Sequence, residues 1–224
     1  GFSRESVIAD VESGFGVFSR LLLERGSRVV AIESSEEMRY TAERILGDEF
    51  SRFVSLHGTA DSTGLPDGSV NHIVYVKPYL WLNRKACQKE FQRIIKPEGN
   101  AAIIVNRLIS DSDDFSNEFE QLILKYSKES TVHTEEDISG MEEISKSLFD
   151  SNKYVVLSLP CQQYYDFEGL LALLFFYRLN IEQDLNTNSE LIESLKLLFD
   201  LYSSSGKITL RYEIEAYVGK ISNL

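Results

Sequence analysis

Cysteine occurs only twice, at Cys87 and Cys161, with no Cys-x-x-Cys pair and no spacing that would hold a metal. That excludes a disulfide scaffold and a zinc framework, and it makes a reducing, cytoplasmic setting the default. Basic residues are also short: 23 Lys and Arg against 35 Asp and Glu give a net charge of −12. A duplex nucleic-acid binder draws its affinity from phosphate neutralisation, and a membrane adsorber from attraction to anionic lipid, so both classes are disfavoured. No apolar run is long enough to span a bilayer. The longest, Leu170 to Tyr177, suits a buried helix. No signal peptide opens the chain, which starts almost directly before an apolar run and reads as a domain lacking a leader helix.

What is present is globular in character. Hydrophobic residues make up 43% of the 224 positions and aromatics 11%, far from the composition of a disordered chain. At roughly 150 residues per domain the length corresponds to about one and a half domains, which reads as one domain with an insertion. Such a chain can bury about 70% of its extended surface without a staple.

Continuous apolar runs alternate with helical spacing through the first half. Val7–Val11 is followed by Gly14 and Gly16, then by Phe18, Leu21, Leu22 and Leu23 at helical intervals up to Gly26. Val29–Ile32 is a second strand ending at Glu33, and Ser34 with Glu37 predicts a capped helix from Glu36 to Leu46. Further strands are expected at Phe53–Leu56, Val70–Val76 and Ala101–Val105. A helix at Arg84–Ile95 is ended by Lys96-Pro97-Glu98-Gly99. Five strands in 106 residues predict a doubly wound α/β core with a mostly parallel sheet, whose ligand would lie outside the C-terminal strand ends.

The character changes after Asn106. Residues 108–152 read as polar, acidic and helical, Tyr154–Leu159 as a strand, and Phe167–Tyr177 and Glu190–Tyr202 as helices. Lys207–Tyr212 and Glu213–Ile221 alternate with period two, as antiparallel edge strands do. The expected organisation is a cofactor-binding core at 1–106, a mostly helical insertion or lid at 107–206, and sheet-completing strands at 207–224.

Three features could carry chemistry. Gly14 and Gly16 give only the first part of a G-x-G-x-x-G fingerprint, and glycines after a strand also serve ordinary tight turns. They would let backbone approach a ligand and open a helix whose free N–H groups favour an anion. Glu33, seventeen residues beyond Gly16, could accept both hydroxyls of a ribose, or simply favour a helix start. Asp61 could accept from an adenine amino group, or cap its own turn. His72 reads as a packed strand residue; His57 and His133 have no metal partners at useful spacing, so no metal site is expected.

These residues lie in stretches that resemble the class I S-adenosylmethionine-dependent methyltransferases of the small-molecule type with a long insertion. The stretches are VIADVESGFGVFSRLLLERG at 7–26, VVAIESSEEM at 29–38, HGTADSTGLPDGSVNHIVYV at 57–76 and YLWLNRKACQKEFQRIIKPEG at 79–99. The tail DFEGLLALL at 166–174 and GKITLRYEIEAYVGKI at 206–221 resembles that subgroup's ending. The resemblance implies a seven-stranded Rossmann-like sheet whose last strand is antiparallel, with S-adenosyl-L-methionine as cofactor. It implies that Asp10, position 12, Gly14 and Gly16 border the methionine end, that Glu33 holds the ribose and that Asp61 sits near the adenine. Tyr79, Trp81, Tyr164 and Tyr165 would wall a small-molecule acceptor pocket, although aromatics there equally suit the core of an insertion.

The departures from that pattern are specific. Glu12 stands where the family has glycine, Asn71 where it has Asp, and Lys77 and Leu80 where it has Gln and His. Bulky Phe175-Phe176-Tyr177-Arg178 replaces small serines before a Tyr. Two readings follow: methyl transfer from S-adenosylmethionine to a small molecule, or an inactive methyltransferase-like protein with a binding or structural role. A dinucleotide oxidoreductase is disfavoured by the missing third glycine and by the tail.

Overall fold

A computed structural model of the protein describes residues 3–76, 84–109, 113–126, 148–177 and 185–222. The strands are β1 (Val7–Val11), β2 (Arg28–Glu33), β3 (Phe53–His57), β4 (Val70–Val76), β5 (Ile95–Leu108), β6 (Phe149–Tyr165) and β7 (Ile208–Ile221). The helices are α1 (Val17–Glu24), α2 (Glu36–Ala42), α3 (Arg84–Ile94), α4 (Asp114–Tyr126), α5 (Phe167–Tyr177) and α6 (Leu185–Tyr202). A π-helical turn at Glu43–Gly47 continues α2.

The strands form a seven-stranded sheet in the order β3-β2-β1-β4-β5-β7-β6. β1 pairs in parallel with β2 and β4, β2 with β3, and β4 with β5. Parallel strands need helical crossovers, which cover both faces, so β1 and β2 read as unbroken apolar runs and are buried almost throughout. The lysine of Lys220 reaches the Pro97 carbonyl, while Ile109 N–H donates to the Arg211 carbonyl. Later residues of β5 thus meet earlier ones of β7, and the last strand runs antiparallel to its neighbour. The mostly parallel, Rossmann-like sheet expected from the sequence is the observed one.

Three details differ from expectation. Ser35, not Ser34, caps α2: its hydroxyl accepts from Met38 N–H, while Ser34 turns to the Glu33 carboxylate. α3 stops at Ile94 because Ile95 already pairs with Val70, and a register shift before the His72–Asn100 pair absorbs the Pro97–Gly99 stretch. The alternation at 207–221 belongs to one strand, and it lies between β5 and β6 rather than at an edge.

The chain divides into two compact units. One comprises residues 1–105, 142–157 and 215–224; the other comprises 106–141 and 158–214. In the first, Ile8, Leu22, Val29, Leu46, Phe53 and Val74 belong to one buried cluster. Asn71 lies at the opposite end of that sheet from the glycine turn, where its side-chain oxygen accepts from Val7 N–H and Lys96. In the second unit, α4, α5, α6 and the start of β7 bury Phe119, Leu170, Leu195 and Leu210 together.

Candidate functional site

The turn between β1 and α1 contains three residues at positive φ: Glu12 at 53°, Gly14 at 57° and Gly16 at 78°. Glycine adopts this left-handed conformation freely, whereas a residue with a Cβ meets a cost of roughly 1–2 kcal/mol. Gly16 begins α1, and a Cβ there would lie 2.7 Å from Leu46 Cδ1 and 3.3 Å from Ala42 Cβ. The turn can rest against the end of α2 only because that side chain is missing. Around Gly14 the situation is reversed: a Cβ would meet nothing within 4 Å, so open space fronts the backbone.

Glu33 closes β2 and is 7% exposed. Its Oε2 accepts from Gly14 N–H at 2.9 Å, and its Oε1 accepts from Ser35 N–H at 2.8 Å and from the Ser34 hydroxyl at 3.4 Å. A carboxylate offers about four lone-pair positions, so with three donors in place about one position is left, on Oε2. Asp61 is exposed in the loop after β3, where Thr59 Oγ1 donates to its Oδ1 at 2.6 Å. The loop is held from behind: Thr63 donates both its N–H and its hydroxyl to Glu90 Oε1 of α3. Arg93, and after it Thr63, hold the Glu90 carboxyl down at about 2.

Asp10 and Glu12 are differently placed. Asp10 is 1% exposed beneath the turn, with Ser19 Oγ donating to its Oδ2 at 2.6 Å. Burial pushes its carboxyl up to about 7, against the downward pull of Ser19. Glu12 is half-buried, and its Oε2 accepts from the Tyr75 hydroxyl at 2.6 Å. Burial raises the Glu12 carboxyl above its ordinary value, the Tyr75 bond opposes that rise, and repulsion from Glu33 and Asp61 adds to it. Glu12 is thus within electrostatic reach of both Glu33 and Asp61.

Tyr75 was not singled out in the sequence, and it is the residue that decides how this rim is shaped. It is 1% exposed in β4, with its ring edge-on to Phe91 at 6.1 Å between centroids. Burial, and after it Glu12, hold the phenol well above its usual range, so it stays a hydrogen-bond donor. The one available signal was a tyrosine in an otherwise apolar run, because a buried phenol needs a polar partner. β1 and β4 are also the adjacent strands at which the sheet order reverses, the position where open α/β sheets place their ligands.

The other expected site residues belong to the second unit or fall outside the described residues. Tyr164 is 64% exposed on β6, and Tyr165 is half-buried beside the helical cluster of the second unit, its hydroxyl facing Gln163 and Tyr212. Tyr79, Trp81 and His133 lie outside the described residues. His72 is half-buried, and burial lowers its imidazole. Cys87 is a buried free thiol that burial, Asp61 and Glu12 raise to about 11, which removes it as a nucleophile. Among the described residues no group of His, Cys, Asp or Glu could hold a metal, and no helix is long and apolar enough to cross a membrane.

Comparison with known proteins bears chiefly on the first hundred residues and on the fold. Residues 9–103 match a family model described as a methyltransferase domain. An uncharacterised methyltransferase of Mycobacterium tuberculosis is 28% identical over 99 residues, which is 44% of this chain and only 39% of that protein's length. A protein provisionally assigned as a type II methyltransferase from Anaeromyxobacter dehalogenans has a TM-score of 0.64 at 17% identity, over 96% of this chain and 89% of that one. Phosphoethanolamine N-methyltransferase 2 of Haemonchus contortus, in complex with S-adenosyl-L-methionine, gives 0.55 at 16% identity, over 98% and 50%. At these identities the structural likeness is one of fold. Together the turn, the sheet order and the matched model identify a class I S-adenosylmethionine-dependent methyltransferase-like fold domain.

Proposed function

We propose that the protein is a methyltransferase-like binding protein that holds an adenosine-containing small molecule at the C-terminal ends of β1, β2 and β3. The observation that carries this reading is Glu33, whose two oxygens are aimed by Gly14 N–H and Ser35 N–H and whose Oε2 keeps an acceptor position for a ribose hydroxyl. Asp61 stands on the same rim to accept from the adenine amino group, and the open space at Gly14 admits the sugar against the backbone.

The family's cofactor, S-adenosyl-L-methionine, divides into two halves here. Its nucleoside half fits these residues. Its amino-acid half does not, because the glycine-like position 12 carries a carboxylate bonded to Tyr75. The second reading, methyl transfer to a small-molecule acceptor walled by Tyr79, Trp81, Tyr164 and Tyr165, is favoured by the family match and requires Glu12 to leave Tyr75. In either reading residues 1–106 bind the nucleoside, and β6 and β7 complete the sheet. The partner is a small molecule in the cytoplasm rather than nucleic acid or membrane, in keeping with the charge of −12.

Calorimetric titration with adenosine tests the binding reading. Heat of binding that weakens when Glu33 becomes alanine is expected; no heat from adenosine or from any of its 5′-thioether derivatives would overturn it. Transfer of a labelled methyl group from S-adenosylmethionine to any acceptor would favour the second reading.

A further inference from the structure

The geometry points to a pocket that selects an adenosine nucleoside whose 5′ substituent is short and bears no carboxylate. This rests on the nucleoside-binding reading and adds the class of ligand. With the base on the β3 side and the ribose on Glu33 of β2, the sheet order β3-β2-β1-β4 runs the 5′ arm over the ends of β1 and β4. Glu12 and Tyr75 meet in that place. Their 2.6 Å hydrogen bond links the end of β1 to β4 across the point where the strand order reverses. It takes up the room that a glycine at position 12 would leave vacant.

Two physical effects act against a long amino-acid arm. The first is volume: a side chain stands where the left-handed backbone conformation calls for none, and its far end is tied to a phenol that is itself packed edge-on against Phe91. The second is charge. A carboxylate on the ligand would face Glu12, on which Glu33 and Asp61 already act with the same sign. Like charges in a half-buried cleft are poorly screened. A neutral thioether or a bare 5′ carbon meets neither obstacle. The family's usual ligand is thus disfavoured at one end only, and the adenosine end keeps its partners.

The test compares 5′-methylthioadenosine with S-adenosylhomocysteine, which share adenosine and the thioether and differ in the amino-acid arm. Calorimetry on the unmodified protein is expected to show methylthioadenosine binding at least about tenfold more tightly, a difference of about 1.4 kcal/mol. In Glu12→Gly the preference should shrink below threefold or reverse, because both the volume and the charge are gone. Thermal melting checks that the variant folds. Equal or tighter binding of S-adenosylhomocysteine to the unmodified protein would overturn this inference and leave the nucleoside reading standing. Binding of both compounds to Glu12→Gly and of neither to the unmodified protein would also overturn it, since the pocket would then be shut rather than selective. If neither compound, nor adenosine, binds either protein, the nucleoside reading itself fails.

Discussion

Glu33 and Glu12 are the same residue type at the ends of adjacent parallel strands, and they have opposite consequences. Glu33 ends β2 in extended backbone, and two N–H groups of the surrounding turns fix its direction. Its charge is received by backbone dipoles, which leaves its outer face for a ligand. Glu12 follows β1 at a φ of 53°, reaches sideways to β4 and finds a phenol. It therefore fills space instead of offering a surface. The difference lies in what each carboxylate meets: backbone donors orient Glu33, and a buried phenol holds Glu12.

Substitutions along this turn sharpen the contrast, and the largest effect is expected at Gly16. Gly16→Ala adds a Cβ in left-handed backbone and drives it into Leu46. Strain and overpacking together should lower stability by about 2–5 kcal/mol, read as the shift of the denaturation midpoint. Gly14→Ala faces open space, so only the backbone cost should appear.

Asp10 comes next, as the third carboxyl of the region and the one with no outer face. Its folded value of about 7 lies above the ordinary 3.8, so the folded state holds this proton more firmly than the unfolded one. The sign follows: stability is greatest at low pH and is lost as pH rises from about 4 through about 7. Asp10→Asn should remove that slope. It should be more stable than the unmodified protein at pH 8, on the order of 2–4 kcal/mol, and the gap should close toward pH 4. Melting curves across that range decide it, and a constant gap would count against a buried, proton-holding Asp10.

At Glu33, removing a charged acceptor should weaken adenosine binding by about 1.5–3 kcal/mol, some ten- to hundredfold, by calorimetry on Glu33→Ala. The smallest effect is expected for Glu12→Gly combined with Tyr75→Phe. This pair deletes both partners of one hydrogen bond, so neither is left behind without the other, and relieves the left-handed backbone at position 12. A gain of about 1 kcal/mol should appear as a melting point raised by roughly 2–4 °C.

The sheet was legible wherever burial on both faces writes a continuous apolar run, as in Val7–Val11, Val29–Ile32 and Val70–Val76. Glu33 could be singled out because it closes such a run. What spacing could not give was the choice among neighbours. Ser34 and Ser35 are equivalent caps by composition, and the Glu33 carboxylate decides between them. The alternation at 207–221 marks a strand but not its neighbours, so its place inside the sheet needed the pairing with β5 and β6. Likewise Glu12 was visible as a missing glycine, while its direction depended on a tyrosine 63 positions away.

The Asp61 loop is moored to α3 through Glu90. Glu90 stays ionised down to a pH near 2, and through it Thr63 ties the loop to α3. Asp10 and Glu12 take up protons long before that tether does. Mild acid therefore discharges this part of the molecule before it deforms it, and a ligand arriving in an acidified medium would find a less negative cleft of unaltered outline.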